Sequence, residues 1–244
     1  MHLKNVIWHA LTTRQSRFAE SCDGARRFMR EVTSLCAFPQ PDNDGYAGLA
    51  CLAGPDGTAA VFLDQPYEPR PGWDYVAGAA LLQMICSNGH GSNQTKPSAE
   101  IVELRDKDSP EMLELTTLTK PGPFGPRTHE LGYYVGVRDN GKLVAMAGER
   151  LKVPGFTEVS AVCTHPNHLG KGYAGALMNE VMRGIRARGE TPFLHVRADN
   201  TRAIAIYERL GFRTAWSGHF AVLRRMGLSS SSRPQRQFLA SFAV

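Results

Sequence analysis

Thr164-His165-Pro166-Asn167-His168-Leu169-Gly170-Lys171-Gly172-Tyr173-Ala174-Gly175 stands between a β-like run and an amphipathic stretch, and its reading decides the fold. Gly170, Gly172 and Gly175 let backbone N–H groups approach a ligand closely. Beyond them, Ala174, Leu177, Met178, Val181, Met182 and Ile185 fall at i, i+3, i+4, i+7, i+8 and i+11, one apolar stripe of a helix. Such a helix points its unpaired N–H groups and positive dipole end back at the glycines. Lys171 adds a full positive charge. These groups together describe a seat for a pyrophosphate. The plainer alternative is a glycine-rich turn that merely enters a helix.

The flanking segments give the element order. Residues 157–164 form a β-like run. Residues 133–138 and 143–149 flank Asp139-Asn140-Gly141, a hairpin turn. Residues 101–104 predict a further strand. Ser109-Pro110-Glu111 opens a helix to about residue 118, with a capping hydroxyl, a first-position proline and an acid near the positive dipole end. Pro121-Gly122-Pro123 stops it. Downstream, Gly189 caps the amphipathic helix, residues 193–196 predict a strand, and Asn200 caps a short helix closed by Gly211. Residues 220–223 predict the last strand. From residue 99 the order is β-α-β-β-β-α-β-α-β, an α+β fold with a mixed central sheet.

The first 95 residues carry weaker signals. Residues 13–30 are polar with scattered apolar positions and read as a helix. Residues 46–53 and 58–63 read as a hairpin around Gly54-Pro55-Asp56-Gly57. Residues 66–72 are loop, 81–86 a short apolar run, and 87–98 a linker. The predicted organisation is a smaller N-terminal α/β domain over 1–95, a second domain over 96–228, and a disordered tail over 229–244.

Composition excludes several classes. Hydrophobic residues make up 42% of the 244, enough for a core. No apolar run reaches the ~18–20 residues of a membrane span, and the N-terminus lacks the apolar stretch of a signal peptide, so a cytoplasmic location is expected. Cys22, Cys36, Cys51, Cys86 and Cys163 include no C-x-x-C pair and are odd in number, which predicts buried or free thiols. No Cys/His cluster has metal-ligand spacing, so no metal is expected. The first 95 residues hold 7 Lys+Arg against 9 Asp+Glu, the remainder 21 against 14. The cationic half suits an anionic ligand. Nucleic acid is the weaker partner, because aromatics are not interleaved with the positive charge.

Two phosphate-binding readings compete for the loop. Gly170-x-Gly172-x-x-Gly175 matches a dinucleotide fingerprint, with Asp199 closing a second strand. In that fold, however, the first glycine follows the strand almost directly, whereas Pro166 intervenes here, and too little chain remains for a doubly wound sheet. The other reading is a resemblance. Residues 162–174 resemble motif A of the GNAT superfamily of N-acyltransferases, and Asn200 to Phe212 resemble its motif B. The likeness covers about residues 99–226. The variety resembled most carries a separate N-terminal domain, as glycine N-acyltransferases do.

That resemblance implies an acyltransferase using acetyl-CoA, or another short acyl-CoA, to modify a small-molecule or peptide amine by direct attack in a ternary complex. By position it implies that Gly170, Lys171, Gly172, Tyr173, Ala174 and Gly175 cradle the CoA pyrophosphate. It implies that backbone groups of Val162, Cys163 and Thr164 bond the pantetheine arm like an added strand. Asn200 would contact the cofactor, and Tyr207 would protonate the leaving thiolate. Leu169 departs from the family, where Gln or Arg is usual. Glu158 falls where some members keep a general base, a role a raised pKa would suit; its alternative is a carboxylate in a salt bridge. Glu149 is a second candidate base. His195 reads as a satisfied core residue, Tyr207 has a core-packing alternative, and residues 121–129 read as a loop over the acceptor site. The competing functional class is a catalytically silent CoA-binding sensor or scaffold.

Overall fold

The computed structural model describes residues 3–87 and 99–227. Most of the expected linker and the expected tail from Ser229 lie outside the described residues. Helix α1 (Val6–Thr12) leads into strands β1 (Ala19–Cys22), β2 (Ala25–Phe28) and β3 (Cys36–Ala37), then helix α2 (Asn43–Ala53) and strands β4 (Thr58–Leu63) and β5 (Trp73–Ile85). The second half comprises β6 (Ile101–Leu104), α3 (Ser109–Thr119), β7 (Tyr134–Asp139), β8 (Lys142–Val153), β9 (Phe156–Thr164), α4 (Tyr173–Ala187), β10 (Thr191–Arg197), α5 (Thr201–Arg209) and β11 (Arg213–Arg225). From residue 99 this is the order expected from the sequence.

Strands β4 to β11 form one eight-stranded mixed sheet in the order β4-β11-β5-β10-β9-β8-β7-β6. Alternation along each strand sends apolar residues to both faces. On one face α4 packs its Leu177, Met178, Val181, Met182 and Ile185 over Val135, Ala145, Ala147, Val159, Leu194 and Val196. On the other, α1 covers Leu151, Val153 and Phe193, while α3 covers Met146, Ala161 and Cys163. Among the described strand pairs of this sheet only β9 and β10 run parallel, and their pairing stops after Phe193 meets Glu158. Beyond that point the two strands part.

The expected boundary near residue 95 is corrected by this sheet. Strand β5 is hydrogen-bonded between β10 and β11, and β4 pairs with β11. Leu3, Val6, Ile7 and Leu11 share one core with Leu151, Val153 and Phe193. Strands β4 and β5 therefore complete the large sheet, while β1, β2 and β3 form a small sheet of their own. Residues 13–30 are not a helix. Ala19–Cys22 and Ala25–Phe28 pair antiparallel around Asp23 and Gly24, whose φ values of +40° and +86° make a two-residue hairpin turn. Residues 46–53 are not a strand but most of α2, which Asp42 caps by accepting from Gly45 N at 2.9 Å. Ser109 does not cap α3; its hydroxyl donates to Pro126 O.

The cysteine expectation also needs correction. Cys36, Cys86 and Cys163 are buried free thiols, but Cys22 and Cys51 are joined in a disulfide. Gly48 makes the approach possible, since a Cβ there would stand 2.7 Å from Cys22 O. Helix α2 thus lies close enough on the hairpin for the two Cα atoms to sit 6.2 Å apart.

Candidate active site

The glycine loop has the geometry its sequence predicts. Gly170 and Gly172 adopt φ +81° and +78°, a region that side-chain-bearing residues avoid, and Gly172 is the N-cap of α4. A Cβ at Gly170, Gly172 or Gly175 would meet nothing within 4 Å. Open space therefore lies directly before the N-terminal turn of α4, where backbone donors and the helix dipole favour an anion. Lys171 is exposed beside it. His165 and His168 brace the turn: His165 Nδ1 accepts from Asn167 N, and His168 Nε2 lies 2.9 Å from Asp139 Oδ2. Leu169 is 50% exposed, so its side chain packs little.

Past Glu158, β9 has no β10 neighbour, and backbone groups of Val162, Cys163 and Thr164 border the opening between the two strands. The register slips between the Met146–Cys163 and Gly148–Ser160 pairs, and buried Ala161 takes φ +52°. A β-bulge with a left-handed alanine is strained backbone at the edge of a cleft. Cys163 turns its side chain to the core under α3, where burial pushes its thiol up to about 12. Only its backbone is placed to face the opening. Asn200 Oδ1 accepts from Ala203 N at 3.1 Å and so caps α5. Tyr207 lies on α5 within the core beneath α4, its ring 6.1 Å from that of Phe212. Burial pushes its phenol up to about 12.

Glu158 behaves differently from the expected base. It is fully buried opposite a second irregularity of β8, where Arg150 and Leu151 face it alone. Arg150 Nε and Nη2 each donate to its carboxylate at 2.8 Å, Leu151 N at 3.2 Å, and His195 Nδ1 lies 2.7 Å away. Burial alone would raise this carboxyl, but the charge and hydrogen bonds of Arg150, with the hydrogen bond from His195, outweigh it and bring the pKa down to about 2. A carboxylate so held is a poor proton acceptor at neutral pH. Glu149 is no freer, with Arg188 Nη2 at 2.5 Å and Lys152 Nζ at 2.8 Å. His195 is held at both nitrogens. The Gln83 amide nitrogen reaches both Leu3 O and His195 Nε2, so Nε2 accepts and Nδ1–H donates to Glu158.

Beside this cluster lies a cavity of about 430 Å³. Arg150, His195, Val196 and Arg197 form its floor, and Pro121, Gly122 and Pro123 lie along it where the sequence suggests a loop over an acceptor site. Phe62, Tyr75, Leu81 and Phe220 supply the apolar wall. Two supporting residues were missed by sequence reasoning. Gln15 bridges the break in β8, donating to Arg150 O at 2.7 Å and accepting from Lys152 N at 3.0 Å. Gln83 fixes His195. Neither belongs to a motif, and a lone glutamine in an apolar stretch is the only signal Gln83 gives.

A chain from Novosphingobium aromaticivorans, described as a GNAT-family acetyltransferase, is similar over 93% of this chain and 100% of its own, at 36% identity and TM-score 0.85. The present chain belongs to the GNAT family. An FR47-like protein family model matches residues 134–221, from β7 into β11. An N-alpha-acetyltransferase RimI of Mycobacterium tuberculosis is 39% identical over 84 residues, 33% of this chain and 52% of that protein. A mycothiol acetyltransferase of Streptomyces avermitilis is 35% identical over 85 residues, 34% of this chain and 27% of that one. The match thus spans about half of the first curated relative and about a quarter of the second. Within this GNAT chain no described helix is long and apolar enough to cross a membrane.

Proposed function

We propose that the chain moves an acetyl, or another short acyl, group from acyl-CoA to a primary amine by direct attack in a ternary complex. Three features support this reading: the glycines at the start of α4 have open space around them, β9 loses its β10 partner past Glu158, and His195, Val196 and Arg197 of β10 line the cavity. Gly170 to Gly175 would hold the pyrophosphate, and the edge of β9 at Val162 to Thr164 the pantetheine arm. The bound thioester supplies an activated acyl carbon.

The chain's own residues do the rest. The amine must be neutral to attack, and an alkylammonium has pKa ~10.4 in water. Arg150 and Arg197 line the cavity, but each is already paired with a carboxylate, Glu158 and Asp199, so the proton goes to solvent. In this reading Glu158 is a positioning residue that orients Arg150 and His195. Tyr207, kept protonated by burial, donates to the departing thiolate. Phe62, Tyr75 and Leu81, all within the first 87 residues, line the cavity, so this part of the chain helps select the acceptor.

A second reading, acyl-CoA binding without turnover, draws on the lack of any Asp or Glu along the cavity among the described residues. Calorimetry with acetyl-CoA and free-thiol release with a panel of amines separate the two. Binding with turnover is expected; binding without it favours the sensor. Gly175→Val tests the cradle itself. Gly175 has ordinary helical backbone and open space around it, so the variant folds while its side chain enters the pyrophosphate seat. Affinity should fall at least ~10-fold, about 1.4 kcal/mol, and unchanged affinity rules the cradle out.

A further inference from the structure

The cavity's groups are unevenly distributed. Its polar side holds Arg150, His195 and Arg197, with no carboxylate among its described lining residues. Its other side is apolar and aromatic. Arg150 is divided in use. Nε and Nη2 hold Glu158, whereas Nη1 makes no hydrogen bond among the described residues. The side chain is only 9% exposed, and Nη1 is its nitrogen left open on the cavity side. Nη1 looks toward Gly122, where an added Cβ would stand 3.8 Å away, and both residues line the cavity.

We infer that the acceptor is an α-amino acid with a bulky apolar side chain, its carboxylate held by Nη1 of Arg150 and its side chain laid against Phe62, Leu81 and Phe220. This rests on the acyl-transfer reading. A carboxylate gives Nη1 the charge-assisted partner it lacks. Polyamines and lysine side chains fit poorly, because their second cation finds no carboxylate among the described residues that line the cavity. The pairing also prepares the nucleophile. A free amino acid's carboxylate stabilises its own ammonium, and binding that carboxylate to Arg150 removes the stabilisation and eases loss of a proton to solvent. As the C–N bond forms and the C–S bond breaks, the nitrogen sheds its remaining extra proton to solvent. The thiolate takes a proton from Tyr207, which recovers one from solvent.

The test measures free-thiol release from acetyl-CoA with L-phenylalanine, L-phenylalaninamide, phenethylamine, L-alanine and spermidine. The expected kcat/KM for L-phenylalanine exceeds those for its amide, phenethylamine and L-alanine by at least ~10-fold, the discrimination a site built around one polar contact and one apolar wall supports. Spermidine should not react. Arg150→Lys keeps a charge for Glu158 but loses the fork, and should erase the preference for the acid over the amide. Ala79→Phe narrows the apolar side away from the charges, and should lower kcat/KM for L-phenylalanine at least ~10-fold more than for L-alanine. Equal turnover of phenethylamine, or a preference for spermidine, overturns the acceptor assignment and leaves acyl transfer standing. Acetyl-CoA binding without thiol release from any amine overturns the transfer reading and the acceptor with it. If Arg150→Lys fails to fold, the acceptor panel and Ala79→Phe decide alone.

Discussion

The Glu158 carboxylate is charged and buried, and among the described residues the arginine opposite it meets no other anion. Removing that charge leaves Arg150 uncompensated inside the sheet. Glu158→Gln should therefore cost about 3–5 kcal/mol of stability in urea unfolding at pH 7, and a catalytic base would not produce so large a loss. The same pair sets an acid limit. A carboxyl whose pKa falls from 4.5 to about 2 on folding contributes stability that is complete above pH 4.5 and is lost as pH falls toward 2. The loss is on the order of 3 kcal/mol, and unfolding midpoints taken between pH 6 and pH 2.5 will show it. Tyr207 makes a sharper kinetic prediction. Phe preserves the ring against Phe212 and deletes only the donor, so Tyr207→Phe should lower kcat roughly 10²-fold with an unchanged melt. Full kcat assigns Tyr207 to packing alone. The glycine loop was legible because backbone conformation writes itself into residue type. The pairing of Arg150 with Glu158 was not, because its eight-residue separation follows no helical or strand spacing and depends on a slipped register.

Elements were legible where local chemistry and burial agree. Helix α4 alternates buried and exposed faces at helical period, and Asp139-Asn140-Gly141 turns as expected, with Asn140 and Gly141 at φ +49° and +79°. Helix α2 was read as a strand because Tyr46, Leu49 and Leu52 stand among alanines and glycines that blur the period. The spacing of those three residues, with Asp42 ahead of them, is nevertheless helical. The hairpin β1–β2 was overlooked although Asp23-Gly24 announces it. The break in β8 has no sequence signature of its own, since the residue that repairs it lies 135 positions upstream of Arg150. Gln15→Leu keeps the volume and strands one buried carbonyl and one buried N–H. It should cost about 2–6 kcal/mol, taking ~1–3 for each group. It should also weaken acceptor selectivity, because Arg150 loses its anchor. A melt unchanged from the parent would mean that water repairs the break as well as glutamine does.

At the scale of the whole molecule, the sequence separated what the sheet joins. Composition shifts near residue 95, and strand pairing across more than a hundred residues leaves no local mark, so β5 read as a short apolar run at the end of a smaller domain. Its neighbours are β10 and β11. A fragment of residues 96–227 would leave both strands with an open edge and Phe193 without its cover of α1 residues. It should be insoluble or lack a cooperative melt, as circular dichroism during heating will show; a cooperative transition would establish that the second half folds alone. The position of β5 has a further bearing on how the protein is made. A ribosome delivers β5 long before either strand that flanks it, and β11 ends only at Arg225. Until β10 arrives this thirteen-residue strand has both edges unpaired, and until β11 arrives it has one, exposed to other nascent chains for several seconds at ~5–20 residues per second. Arrival of β11, not emergence of the first half, becomes the moment at which the sheet closes. Stalled chains ending before residue 191 should stay sensitive to protease across residues 73–85, and chains extended past residue 225 and clear of the exit tunnel should not.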